Sequence, residues 1–326
     1  MHVILLHDDI PPDAPPDQLD VFVQADALAT ALAELSHTSA RLPFTLSLDA
    51  VAVSLRQLRP DVVINLVESV AGQGRLVCLA PALLDSIGVP YTGSGTEAMF
   101  ITSSKVLTKR LLRAQNIPTA PWVTATGPSG VDLPLPARYV IKSIWEEASV
   151  GLEDDCVVAA TDVADLQGEI RQRAGRLGGE AFAELYIAGR EFNLSVLAGS
   201  DGPEVLPPAE IHFVDYPDDR PKLVGYRAKW DDESFEYHHT PRSFDFPPSD
   251  RALLDELCRL ARECWLGLGL RGYARVDFRV DGAGRPWGLE INANPCLSPD
   301  AGFVAATQRA GLPFERVVQR ILADAH

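Results

Sequence analysis

Arg275 and Asp277 in "YARVDFRV" stand two residues apart, as do Glu290 and Asn292 in "GLEINANP", and a glycine-bearing turn, "DGAGR", lies between the runs. Apolar residues alternate with them: Val276, Phe278 and Val280 on the first run, Leu289, Ile291 and Ala293 on the second. This is the pattern of two paired strands, in which successive side chains point to opposite faces. An antiparallel hairpin puts the four polar residues on one face. One register sets Asp277 opposite Glu290 and Arg275 opposite Asn292. Two carboxylates directly opposed destabilise a sheet unless something cationic lies between them. A hard divalent ion such as Mg²⁺ meets that need, because it takes oxygen ligands from one or two carboxylates and completes its shell with water and phosphate. The chemistry expected here is metal-assisted phosphoryl transfer. Asp277, Glu290 and Asn292 are the candidate ligands, and Arg275 is the candidate stabiliser of developing negative charge.

The elements that must position this hairpin alternate along a chain of 326 residues, 46% of them hydrophobic, long enough for two or three domains. "HVILLHDD" and "DVVINLVES" read as strands on either side of the helical "LDVFVQADALATALAEL", whose apolar positions recur at three and four. Alternating strands and helices imply a parallel sheet, so the fold class expected is α/β, with α+β character further on and an open α/β domain over residues 1–96. A second block, 97–188, opens on "TEAMFITSSKVLTKRLLRAQN", read as one amphipathic helix, and contains the strands "ARYVIKSIW" and "AFAELYI". A third, 189–326, begins at the strand "GREFNLSVLAG" and passes through a polar stretch from Phe213 to Pro248 with few periodic signals. Segments that long without clear elements usually carry function or cover a site. His238 and His239 lie within it, on no scaffold that would make them a metal pair.

Charge and cysteine usage narrow the partners. A net charge of −16 and a pI near 4.8 oppose binding to nucleic acid or anionic membranes. No apolar run is long enough to span a bilayer, and "MHVILLHDDIPP" reads as a first strand rather than a signal peptide. Five cysteines without metal-ligand spacing fit a reduced cytoplasm. Lysine is rare: Lys105, Lys109, Lys142, Lys222 and Lys229 are the five in the chain, which marks each as a place where a compact ammonium is needed.

With these features the sequence resembles the ATP-grasp superfamily, and within it the D-alanine–D-alanine ligase type of carboxylate–amine ligase. Four stretches carry the resemblance. "GVPYTGSGTEAMFITSSKVLTKRLLRAQNIPTAPW" is similar to the family's link between its first two domains, with Lys105 at the nucleotide-binding lysine. "VIKSIWEEASVGL" resembles the strand and loop over the phosphates, with Lys142 and Ser149. "AELYIAGREFNLSVL" resembles the adenine hinge and ribose acid, which implies Glu184, Tyr186, Ile187 and Glu191 at the base and sugar. "RVDFRVDGAGRPWGLEINANP" resembles the metal hairpin, and Lys229 in "GYRAKWDD" matches a lysine that closes over the γ-phosphate. The resemblance implies a three-domain architecture, ATP with two Mg²⁺ ions (or Mn²⁺), small-molecule carboxylate and amine substrates, an acyl-phosphate intermediate and a homodimer.

This chain departs from the pattern where the second substrate would lie. Glu146, Glu147 and Ala148 replace a loop usually rich in Gly and Ser, and "HDDIPPDAPPD" follows the first strand. Glu68 falls near a family histidine, and Cys296 takes the place of a glycine that would donate to an oxyanion. "SPDAG", with Ser298, replaces the turn that holds the substrate carboxylate. The nucleotide core is kept while the amino-acid pockets are rebuilt, so D-alanine is not expected as the substrate and Glu68 is the expected partner of a substrate ammonium. Cys296 is expected as a small filler, since this chemistry activates through phosphate. Two rivals are a small-molecule kinase without ligation and a nucleotide-binding regulatory protein.

Overall fold

The computed structural model describes residues 1–127, 132–149 and 151–326. A parallel sheet in the order β2-β1-β3 is built from β1 (His2–Asp8), β2 (Thr38–Phe44) and β3 (Val62–Asn65). Helix α1 (Pro16–Glu34) starts with proline in its first turn, where the missing N–H costs nothing, and buries Val21, Ala25, Leu28 and Leu32 at the expected three-to-four spacing. Helices α2 (Leu48–Leu58) and α3 (Leu79–Ile87) complete this layer, and α3 stops at Gly88 in the left-handed conformation that glycine adopts freely.

The segment read as one helix from Thr96 to Asn116 is two. Helix α4 (Thr96–Ser103) ends, and Ser104, in extended geometry, caps α5 (Lys105–Ala114) by accepting the Leu107 N–H at 3.3 Å. The serine hydroxyl offers the backbone an alternative to an unbroken helix, and the polar face of the pattern hid the break. The break matters for the site, because it makes Lys105 the first residue of a new helix.

A second sheet runs β4-β7-β5-β6, from β4 (Trp122–Thr124), β5 (Ala137–Ser143), β6 (Val157–Ala160) and β7 (Ala181–Leu185), covered by α6 (Val163–Arg173). It has its own core around Val123, Tyr139, Ile141, Leu166 and Ile170. The third sheet follows the order β11-β10-β8-β12-β13: β8 (Gly189–Leu197), β10 (Ala209–Ile211), β11 (Arg242–Ser243), β12 (Tyr273–Asp281) and β13 (Pro286–Asn292), with β9 (Glu204–Val205) against β8. Two single-turn helices, α7 (Arg227–Trp230) and α8 (Phe235–His238), lie in the polar stretch, followed by α9 (Arg251–Gly267), α10 (Gly302–Arg309) and α11 (Phe314–Ala323). The first and third sheets share continuous cores: Ile4 and Leu6 belong to one with Val276 and Phe278, and Val3 and Leu5 to another with Phe303 and Ile321. The second sheet, with its own core, lies across a cleft from the other two.

Candidate active site

The hairpin β12–β13 has the register expected for its polar pairs: Asp277 lies opposite Glu290 and Arg275 opposite Asn292. The turn is fixed by Asp281, whose Oδ1 accepts the N–H groups of Ala283 and Arg285 at 2.9 and 3.0 Å. The apolar face differs from expectation at one residue. A β-bulge between Asp277 and Phe278 brings Gly288 rather than Leu289 opposite Phe278, and Leu289 turns onto the cleft. The extra residue re-aims that side chain, as bulges beside sites commonly do.

A cleft of about 430 Å³ lies above this face, within the range of small-molecule sites. Lys105, Lys142, Ser149, Glu191, Lys229, Arg275, Asp277, Glu290 and Asn292 line it, as do Glu68 and Cys296. Burial alone would raise the Glu290 carboxyl, but Lys105, Lys229, Lys142 and Arg275 outweigh it and hold the group well below the usual carboxylate range. Asp277 is clasped by Arg275, with Nε to Oδ1 at 2.9 Å and Nη2 to Oδ2 at 2.9 Å, and accepts from Asn193 at 2.8 Å. The Asn292 amide oxygen accepts the Asn294 N–H at 3.0 Å, which fixes its direction while leaving a second lone pair. Among the described residues, no three His, Cys, Asp or Glu side chains cluster as a metal site on their own. Two carboxylates and an amide oxygen suit a metal that draws its remaining ligands from phosphate.

Each lysine is held by a different device. Lys105 Nζ donates to the Glu146 carbonyl at 2.8 Å and lies 3.5 Å from Glu147, while its own N–H bonds the Ile144 carbonyl at 3.0 Å. Lys142 pairs with Glu184, which also pairs with buried Lys109 at 2.7 Å. Burial works against the Lys142 charge, but Glu184 and Glu290 outweigh it and its pKa rises. Lys229, on α7, has its pKa lowered by burial and by Arg275, partly offset by Glu290.

The loop from β5 closes the cleft with its backbone in the left-handed region at Ala148 and Ser149, φ 56° and 62°, a conformation costly for residues with a Cβ. It is anchored by the polar stretch: Ser149 Oγ donates to the Val224 carbonyl at 2.9 Å, and Trp230 Nε1 to the Ala148 carbonyl at 3.3 Å. Tyr226 reaches across to α1, its hydroxyl donating to Asp17 at 2.8 Å.

Four of the expected site residues do not line the cleft. Glu184 is 1% exposed and acts as counter-ion to the two lysines. The Tyr186 N–H is engaged by the Arg138 carbonyl at 2.9 Å, and the Ile187 carbonyl accepts from Arg279 at 3.0 Å. Ser298 is buried and donates to Asp20 at 2.7 Å. His239 stacks on Phe235 at 3.8 Å between ring centres and bonds its carbonyl, so the histidine pair is packing.

Sequence reading missed several contributors. Arg279, two residues past Asp277 on the same face, is buried against Glu191 at 3.0 Å, and the alternation could have found it. Asp20 and Gln24 on α1 carried no signal. Gln24 donates to Glu68 at 3.0 Å and accepts the Leu297 N–H at 3.0 Å, and the Cys296 thiol donates to Asp20 at 2.9 Å. Burial, with Glu68 and Asp20 close by, pushes that thiol up, away from any nucleophilic form.

A mixed sheet-and-helix frame with this lysine-ringed acidic hairpin defines an ATP-grasp protein, and comparison with known proteins agrees. Residues 129–323 match the family described as D-ala D-ala ligase C-terminus. The chain is 32% identical over 312 residues to the D-alanine–D-alanine ligase of Moorella thermoacetica, covering 91% of each, and 30% identical over 311 residues to that of Gluconobacter oxydans, covering 93% of each. In fold it is similar to the Vibrio cholerae D-alanyl-alanine synthetase A, with a TM-score of 0.73 at 17% identity over 99% of this chain and 98% of that one. The Bacillus anthracis D-alanine–D-alanine ligase complexed with ATP has a TM-score of 0.71 at 19% identity, over 99% and 97%. The chain belongs to the D-alanine–D-alanine ligase family, and with it to the ATP-dependent, ADP-forming carboxylate–amine ligases. No helix among the described residues is long and apolar enough to cross a membrane.

Proposed function

We propose that this cleft joins a carboxylate to an amine, on amino-acid or small peptide-like substrates other than D-alanine. The observation that carries the reading is the convergence of Lys105, Lys142, Lys229 and Arg275 on Glu290 beside Asp277. A carboxylate oxygen attacks the γ-phosphorus of ATP and ADP leaves. The amine then attacks the acyl carbon, phosphate leaves, and the amine loses a proton. Lys105, Lys142 and Lys229 balance the phosphate charge in a closed site, and Glu191 accepts from the ribose. Ser149 anchors the loop, and Glu184 holds Lys142 in place as its counter-ion. Asp277, Glu290 and Asn292 would hold two Mg²⁺ ions, which neutralise charge on the transferring phosphoryl group when bound. The Bacillus anthracis ligase complexed with ATP supports the nucleotide assignment. A homodimer without nucleic-acid partners is the assembly proposed.

The acidic lining supports an altered substrate. Asp20, Glu68 and Cys296 line the cleft together with the lysines and the hairpin. ATP should yield ADP and phosphate when a panel of amino-acid pairs is supplied, whereas D-alanine alone should not stimulate turnover. AMP and pyrophosphate, or robust D-alanyl-D-alanine synthesis, would refute this reading.

Glu68 gives a pH signature. Burial pushes its carboxyl up to about 8, with Asp8 and Asp20 adding to the effect and the Gln24 hydrogen bond opposing it. The group is mostly protonated near neutrality and gains its charge as pH rises. An incoming ammonium binds the ionised form, so KM for the amine should fall by up to about tenfold per unit as pH rises toward that pKa. Glu68→Gln should flatten the profile and leave KM for ATP unchanged. An unaltered slope in the variant would return Glu68 to a packing role.

A further inference from the structure

Lys109 is an ammonium that the chemistry of the cleft does not use. It is 1% exposed and sits on the inward side of α5 with Val106 and Leu112, where an apolar side chain would pack at no cost. Taking an ammonium out of water is costly, and a buried ion pair is often no more stable than apolar residues of similar volume. A lysine kept there, in a chain where lysine is rare, points to a use other than folding.

The contacts of Lys109 show that use. Glu184, also 1% exposed, serves two ammoniums at once: Oε2 meets Lys109 at 2.7 Å and Oε1 meets Lys142. Lys109 directs its hydrogen bonds elsewhere, to the Thr119 hydroxyl at 2.7 Å and the Ala120 carbonyl at 3.3 Å. Thr119 in turn donates to the Gly288 carbonyl at 2.8 Å, on the strand that carries Glu290. The buried charge is thereby fixed against the β12–β13 hairpin as well as against Glu184. Burial pushes the Glu184 carboxyl up, but Lys109 and then Lys142 outweigh it and hold the group below its usual range. Burial also lowers the Lys109 pKa, and Glu184 opposes that.

Two ammoniums against one carboxylate leave one unit of positive charge, and of the two only Lys142 lines the cleft. We infer that Lys109 is a positioning residue that acts through Lys142: it neutralises Glu184 and so leaves Lys142 its charge for an incoming phosphate. Without Lys109, Lys142 and Glu184 would form a neutral pair, and both carboxylate oxygens would draw the ammonium back from the cleft. The inference rests on the reading of Lys142 as a nucleotide ligand, and adds to it a residue that the nucleotide does not touch.

Calorimetry of the whole enzyme with metal-free ADP is the test. Lys109→Gln removes the charge and keeps a donor for Thr119. A unit charge about 8–10 Å from one phosphate charge, at an effective dielectric of about 20, changes affinity by roughly 10- to 40-fold. ADP should therefore bind Lys109→Gln about 10- to 40-fold more weakly than the wild type. Adding Glu184→Gln returns the local charge to its wild-type value, and the new amide still offers Lys142 an oxygen. The double variant should recover most of the lost affinity. A purely structural role for Lys109 predicts the reverse, because the second substitution removes a further buried ion pair. Lys109→Met, whose chain packs like the lysine stem, carries the same comparison where Lys109→Gln does not fold. Unchanged ADP affinity in the single variants, or no recovery in the double variant, would overturn the inference. Failure of the wild type to bind ADP would instead sink the nucleotide reading and the inference with it, a result distinct from wild-type binding that Lys109→Gln leaves intact.

Discussion

Arg275→Ala is expected to lower kcat by about 10²- to 10³-fold while nucleotide affinity stays within a few-fold, because removing one preorganised donor aimed at developing charge typically costs that much. Its guanidinium sits on the carboxylate face, held rigid by two contacts of 2.9 Å to Asp277. Charge on the acyl phosphate, and on the tetrahedral species formed by amine attack, develops during the reaction. A fixed cation there stabilises the transition state more than the ground state. Arg275→Lys should recover part of the rate, since an ammonium cannot make the planar two-point contact. If Arg275 serves only to offset Asp277 and Glu290, the substitution would instead weaken Mg²⁺ affinity or folding. Saturating Mg²⁺ would then restore kcat, and steady-state rates across a Mg²⁺ titration separate the two outcomes.

Glu290→Gln should remove turnover to a similar degree, about 10²- to 10³-fold, by a different route. The wild-type carboxylate is ionised because four cations surround it, and those cations remain in the variant. The cleft then becomes more positive by one charge while losing a metal ligand. Metal-free ADP should bind the variant as well as or better than the wild type, and the gain in affinity that Mg²⁺ confers should shrink. Calorimetry with and without Mg²⁺ reads both quantities. An Mg²⁺ dependence equal to that of the wild type would remove Glu290 from the metal set.

What the sequence revealed and what it hid follow the range of the interactions involved. The hairpin was legible because the strand period of two and a glycine-bearing turn are local signals, and they were enough to set Asp277 against Glu290. The bulge that turns Leu289 toward the cleft was not legible, since one inserted residue leaves the alternation intact on both sides. The break at Ser104 was masked by helical periodicity that continues through it. Glu184 lay within the stretch matched to the adenine hinge, but its contacts are set by Lys109 and Lys142, which approach it from other elements. The side of the cleft lined by Asp20 and Cys296 was the least readable part. Asp20 meets Cys296 and Ser298 across more than 270 residues of chain. Contacts of that range are set by tertiary packing and leave no trace in spacing.

The central claim is that a substrate carboxylate takes the γ-phosphoryl group of ATP in this cleft before an amine displaces it. Oxygen-isotope transfer tests it most directly. The enzyme is supplied with MgATP and a pool of D- and L-amino acids carrying ¹⁸O in their carboxylates, and the released phosphate is analysed by mass spectrometry. The account predicts ADP together with inorganic phosphate bearing one ¹⁸O, in amounts matching the amide formed. Label in AMP, unlabelled phosphate alongside ATP consumption, or no ADP above the unstimulated rate would contradict it.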